Sequence, residues 1–118
     1  MPTYVILLPL CILLICMDAI WFQFSGAIYA ADVARVQGAP MQVRWHGGLV
    51  AWMLIGFGLW YFARDWRDGA VLGAVVYGVY NATNYALFKD YSAKVALMDT
   101  AWGTVACAIG GLVVSHMR

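Results

Sequence analysis

The sequence predicts an all-α fold: an integral membrane bundle of four transmembrane helices with both termini on the same side. Three observations predict it. Of the 118 residues, 64% are hydrophobic and only 11% charged, with no Glu, whereas a soluble domain carries about 25% charged residues and needs them to cover its surface. The apolar residues gather into four runs, each close to the roughly 20 residues a helix needs to cross a bilayer. The connections between the runs are short and leave no room for a second domain, so residues 1–118 read as one.

The first run, Tyr4 to Phe24, has no Lys or Arg ahead of it and is longer than a signal-peptide core. It therefore reads as a span rather than a cleaved leader, despite the small residues Ala27, Ala30 and Ala31 that follow. The run has no line of small residues, so Ile6, Leu7, Leu10, Leu13 and Leu14 are expected to face lipid or a partner. The connection from Ser25 to His46 carries a helix-compatible pattern, Ala27, Ile28, Ala31, Ala34 and Arg35, broken by Gly38-Ala39-Pro40. It is expected to lie in the membrane interface as a short amphipathic helix.

The second span runs from Gly47 to Ala63 and the third from Gly69 to Phe88. Between them, Arg64-Asp65-Trp66-Arg67-Asp68 alternates charge around an anchoring Trp and reads as a solvated hairpin. The fourth span runs from Val95 to Ser115. Gly69 and Gly73 form a GxxxG pair. Gly103, Cys107 and Gly111 make one small-residue line in the last span, and Ala106 with Gly110 a second, which lets the third and fourth helices approach closely. Cys11 and Cys16 fall on different faces of one helix and no CxxC pattern occurs, so the cysteines read as small apolar fillers. Arg35, Arg44, Lys89 and Lys94 fall on one side of the bundle and Arg64, Arg67 and Arg118 on the other, an imbalance too small to fix the orientation.

One phrase occurs twice in apolar surroundings, Met17-Asp18-Ala19-Ile20-Trp21 and Met98-Asp99-Thr100-Ala101-Trp102. An ionised Asp at the centre of a bilayer costs roughly 2.5 to 3.5 kcal/mol on insertion scales, so both groups need a position off-centre, a partner, or both. Asp18 lies near the end of the first span and Asp99 near the start of the fourth. These spans are antiparallel, which brings the two to one membrane face. The third span adds Tyr77, Tyr80, Asn81, Asn84, Tyr85 and Phe88 at spacings of three and four, and the second begins there with Arg44, Trp45 and His46. The expected polar cluster comprises Asp18, Trp21, His46, Asn81, Asn84, Asp99 and Trp102. The opposite half, Val5 to Cys16 and Ala106 to Val114, is nearly bare of polar groups.

Such a cluster either links helices at headgroup depth, each contact contributing about 0.6 kcal/mol, or holds a cation, a proton or a polar headgroup. A metal centre from Asp18, His46 and Asp99 has no ligand-spacing motif behind it, and none is assigned. His116 belongs to the solvated tail. No phosphate loop, nucleophile elbow or basic nucleic-acid patch occurs, and the residues identify no cofactor and no catalytic set.

Asp18-Ala19-Ile20-Trp21, Tyr80-Asn81-Ala82-Thr83-Asn84-Tyr85-Ala86 and Asp99-Thr100-Ala101-Trp102-Gly103-Thr104 together resemble the small four-span membrane proteins grouped as domain of unknown function 2177. The resemblance covers most of the chain, with the last block the most specific. Asn81 stands where that pattern has an Asp, which removes a titrating group there, and Tyr91-Ser92 stands where it has Trp-Pro. The resemblance implies a fold and a polar cluster, not a reaction.

Three functions are carried forward. The first is a non-catalytic subunit or partner of a larger membrane assembly, expected from the small size and the bulky first span. The second is an oligomeric conduit or binder for ions or small solutes using Asp18 and Asp99. The third is a lipid-handling enzyme or helper. The expected partners are the lipid bilayer and either another protein or a second copy of the chain, with no nucleic acid.

Overall fold

The computed structural model describes residues 2–118. It contains four helices, α1 (Thr3–Gln37), α2 (Trp45–Phe62), α3 (Trp66–Leu87) and α4 (Ala93–Met117), in a bundle of 47 × 24 × 22 Å. The all-α bundle expected from the periodic apolar runs is the fold. By length and composition, α1 and α4 are apolar enough to cross a membrane.

The helix ends follow from local chemistry. Asp65 caps α3 by accepting from the backbone N–H groups of Arg67 and Asp68, and Ser92 caps α4 by accepting from Val95 N–H. Gly38, at φ 72°, ends α1 in the left-handed conformation, its N–H donating to Ala34 O. At the far end of the bundle, the Arg118 guanidinium donates to the carbonyls of Trp60 and Ala63, where the last turn of α2 leaves acceptors free. Beside it, Arg64 and Asp68 form an exposed ion pair at 2.7 Å, which holds the Asp68 carboxyl below the usual carboxylate range.

Two expectations about α1 are corrected. The segment after Phe24 is not a separate interfacial helix. α1 continues unbroken to Gln37, because between Phe24 and Gly38 there is no proline and no glycine in a turn conformation, and its last turns pack on the α3–α4 connection. Nor do Ile6, Leu10 and Leu14 face lipid. They are at most 4% exposed and form the core with Leu59, Ala63, Cys107 and Val114. The space for them comes from other helices: a Cβ on Gly110 would lie 3.6 Å from Leu10, and one on Gly56 would lie 2.9 Å from the Cys11 sulfur and 3.9 Å from Leu14.

α3 and α4 make the tightest pair. A Cβ on Gly69 would run into Cys107 O, one on Gly73 into Gly103 O, and one on Gly103 into the Tyr77 ring. Gly111 packs on Gly69 and the Asp65 carbonyl, whereas Gly110 turns the other way and receives Leu59. α4 thus shows one small-residue line to α3 and another to α1 and α2. The backbones of α1 and α3 do not pack against each other.

Candidate functional site

The polar end is organised by a stripe along α1. Asp18, Trp21, Ser25, Tyr29 and Asp32 recur at spacings of three and four, which keeps them on one face of a 3.6-residue helix. Ser25 Oγ donates to Trp21 O within the stripe. The other four residues reach the rest of the bundle.

Asp18 joins three helices. Its Oδ2 accepts from Trp52 Nε1 of α2 at 2.6 Å and its Oδ1 from Trp102 Nε1 of α4 at 2.7 Å. Asp99 joins α4 to the other two. Its Oδ1 accepts from the Tyr29 hydroxyl of α1 and its Oδ2 from Asn81 Nδ2 of α3, both at 2.8 Å. The two systems meet at the indoles: Trp21 donates to the Tyr29 oxygen at 3.0 Å and stacks on Trp102, with ring centroids 4.9 Å apart and planes 3° from parallel. Asn81, 1% exposed, uses both ends of its amide, donating to Tyr77 O and Asp99 and accepting from the Tyr91 hydroxyl. Burial pushes the Tyr91 phenol above its ordinary value. Among the described residues no buried side-chain polar atom lacks a partner.

All four donors to Asp18 and Asp99 are neutral. The two ion pairs among the described residues, Arg35–Asp32 and Arg64–Asp68, involve neither carboxylate. Above the site, Asp32 is 2% exposed and accepts from Ser92 N–H at 3.0 Å and Arg35 at 2.8 Å, clamping the top of α1 to the start of α4.

A cavity of about 740 Å³ opens against both carboxylates, between α1 and the first half of α2. Its polar residues are Asp18, Asp99, Tyr29 and Gln23; its walls are aromatic, from Phe22, Trp52, Tyr77, Tyr80 and Trp102, and aliphatic, from Ile15, Val33 and Ile55. That size and character match a site for a small organic molecule, mostly apolar with a few convergent polar groups. Beneath it the core of Leu10, Leu14 and Leu59 closes the bundle.

Of the residues expected to converge, Asp18, Trp21, Asn81, Asp99 and Trp102 are in the network. Asn84 is one turn beyond Asn81, half-buried, and bonds to neither carboxylate. His46 and Arg44 are exposed and outside the cavity wall. The reason is helical phase: Trp45, Gly48 and Trp52 occupy the cavity face of α2, and His46 is about 100° away from Trp45. Tyr85 and Phe88 also face outward. Among the described residues no three His, Cys, Asp or Glu side chains are grouped to hold a metal ion.

Four contributors were absent from the expected cluster. Trp52 carries a signal, since an indole is a donor with no acceptor and within an apolar run it must find one. Tyr29 and Asp32 continue the α1 stripe in register with Asp18. Tyr91 sits in a loop with no periodicity, and nothing local marks it.

Neither the curated proteins nor the solved structures compared with this chain give a match. The model of one family, described as predicted membrane protein (DUF2177), matches residues 3–115, nearly the whole chain, and the protein belongs to that family.

Proposed function

We propose that this chain is a four-pass membrane protein that binds a small amphipathic molecule in the cavity beside Asp18 and Asp99. The single observation that carries the reading is the cavity of about 740 Å³, with two carboxylates at one edge and aromatic and aliphatic walls elsewhere. α2 and α3 expose apolar side chains such as Leu54, Phe57, Val71 and Val75, which suits helices surrounded by lipid and supports four crossings.

The docking role expected from size rests on the exposed face of α1, including Tyr4, Leu8 and Ile12. Lipid covers such a face as well as a protein does, so the cavity carries more. A through-conduit would have to cross the buried layer of Leu10, Leu14 and Leu59, and a blind pocket fits that layer better.

The test is native mass spectrometry of the full chain extracted in mild detergent, comparing wild type with Ala51→Phe, which adds bulk to the cavity wall from α2 and leaves both carboxylates in the sequence. A bound small molecule on the wild type that is lost in the variant is the expected result. Equal occupancy in both, or a heteromeric complex with no small molecule, refutes the reading.

A further inference from the structure

We infer that the ligand of this cavity is a lipophilic cation, an ammonium or similar onium group on an apolar body and without a phosphate. The inference rests on the binding role proposed above and names the chemistry of what is bound.

The first argument is charge. Asp18 and Asp99 both line the cavity, and each is held by two neutral donors, Trp52 with Trp102 and Tyr29 with Asn81. Neutral donors orient a carboxylate without supplying a counter-charge, so among the described residues two carboxylates face one space with no Lys, Arg or His within 4 Å of either. In surroundings of low dielectric such a pair favours an entering positive charge far more than it does in water.

The second argument is the wall, and it is independent of the acids. Trp52, Trp102, Tyr77, Tyr80 and Phe22 surround the polar edge. Aromatic faces attract cations, most strongly alkylated ammonium groups, whose hydration is weak and whose shells are apolar. A bare metal ion would find two carboxylates from separate helices and, besides them, no charged ligand among largely aromatic and aliphatic walls, and would forfeit a large part of its oxygen shell.

The third argument concerns what is excluded. No Lys, Arg or His lines the cavity, so the phosphate of a zwitterionic lipid would sit beside the carboxylates with nothing to neutralise it. The cations at this end of the bundle are elsewhere: Arg35 is paired with Asp32, and Arg44, Lys89 and Lys94 are exposed and outside the wall.

A matched pair of probes tests this. Tetraphenylphosphonium and tetraphenylborate have nearly the same size and shape and opposite charge. Binding of each to the full chain in non-ionic detergent micelles is followed by tryptophan fluorescence, with Ala51→Phe subtracting partition into the micelle. The expected result is cavity-specific binding of the phosphonium at least about tenfold tighter than of the borate. Asp99→Asn is expected to weaken the phosphonium about tenfold and leave the borate unchanged or stronger. Helical circular dichroism and the unfolding midpoint check that each variant folds. Should Asp99→Asn not fold, the comparison of the two probes on the wild type decides alone. Equal affinity for both probes, each lost in Ala51→Phe, overturns the cation assignment and leaves the binding role standing. Binding of neither probe overturns both.

Discussion

Replacing Gly73 with Ala asks a methyl group to occupy the place where α3 meets α4. The new Cβ would overlap Gly103 O and lie 2.7 Å from the Cys107 Cβ and 2.9 Å from the Gly103 carbonyl carbon. Two of these three atoms are backbone, so no rotamer change relieves the clash and the helices have to part. Parting also weakens the contact one turn away, where Gly69 meets Cys107 and Gly111. Against this, Ala is preferred over Gly in a helix by about 1 kcal/mol. Overpacking costs about 1 to 3 kcal/mol, and here it acts on the tightest interface of the bundle. With the cost in the upper part of that range, about 2 to 3 kcal/mol, the net is a loss of about 1 to 2 kcal/mol, which in a domain of this size lowers the unfolding midpoint by roughly 5 °C per kcal/mol. Gly47→Ala is the control. Nothing lies within 4 Å of a Cβ there, so the variant is expected to unfold at or slightly above the wild-type midpoint. Thermal unfolding in mixed micelles, followed by circular dichroism, reads both. Gly73→Ala unfolding no earlier than Gly47→Ala would refute the reasoning.

Asp18→Asn offers one acceptor oxygen where two indoles now donate, so one of Trp52 and Trp102 loses its partner. A loss of about 1 to 3 kcal/mol is expected, with a shift in tryptophan emission that a purely global destabilisation would not give below the transition. Asp32→Ala removes the acceptor for Ser92 N–H and Arg35. Faster protease cleavage in the 38–44 connection, with the helices left intact, is the expected sign that the top of α1 has come loose; an unchanged cleavage rate counts against the clamp. The Asp68 carboxyl is held low by Arg64, so the stabilisation from that pair is present above the ordinary carboxylate range and is lost as pH falls through it. Because the pair is exposed and screened, Asp68→Asn is expected to leave the midpoint at neutral pH unchanged, and a clear drop would contradict this.

The fold was legible because it rests on run length and composition. Runs of apolar residues at span length specify helices without knowledge of their neighbours, and Gly38-Ala39-Pro40 marks the break after the first. The carboxylates were legible because a charge in apolar sequence has a cost that demands a partner. What the sequence withheld depends on surfaces across space. The burial of Leu10 is decided by a missing side chain at Gly110 on another helix, and nothing around Leu10 announces it. The phase of α2 around its axis decides that Trp52 faces Asp18 while His46 does not, and the residues near position 46 are polar enough on several faces to mislead. The continuation of α1 was hidden by small residues that read equally well as an interfacial helix. Its register with Asp18 through Tyr29 and Asp32 is the clue that settles it.

The contrast between Asn81 and the two aspartates bears on what the acids do. Linking helices requires a group that donates and accepts, and an amide does this without carrying charge. At Asn81, where the side chain is enclosed by α3, α4 and the Tyr91 loop, the chain uses an amide, and both its ends are occupied. The carboxylate that clamps helices away from the cavity, Asp32, has Arg35 as its counter-charge, whereas Asp18 and Asp99, at the positions that line the cavity, have none among the described residues. If holding helices were the whole purpose, amides there would serve at lower desolvation cost. The distinction predicts an asymmetry. Asn81→Asp would set a second carboxylate against Asp99, remove the donor that Asp99 accepts from, and leave Tyr77 O without its side-chain partner, a loss of about 3 kcal/mol or more. Asn81→Ala removes the same hydrogen bonds without adding a carboxylate and is the control, so Asn81→Asp is expected to unfold below it. An Asn81→Asp midpoint at or above that of Asn81→Ala would mean that position 81 does not face a charged Asp99, and the case for an anionic cavity edge would fall with it.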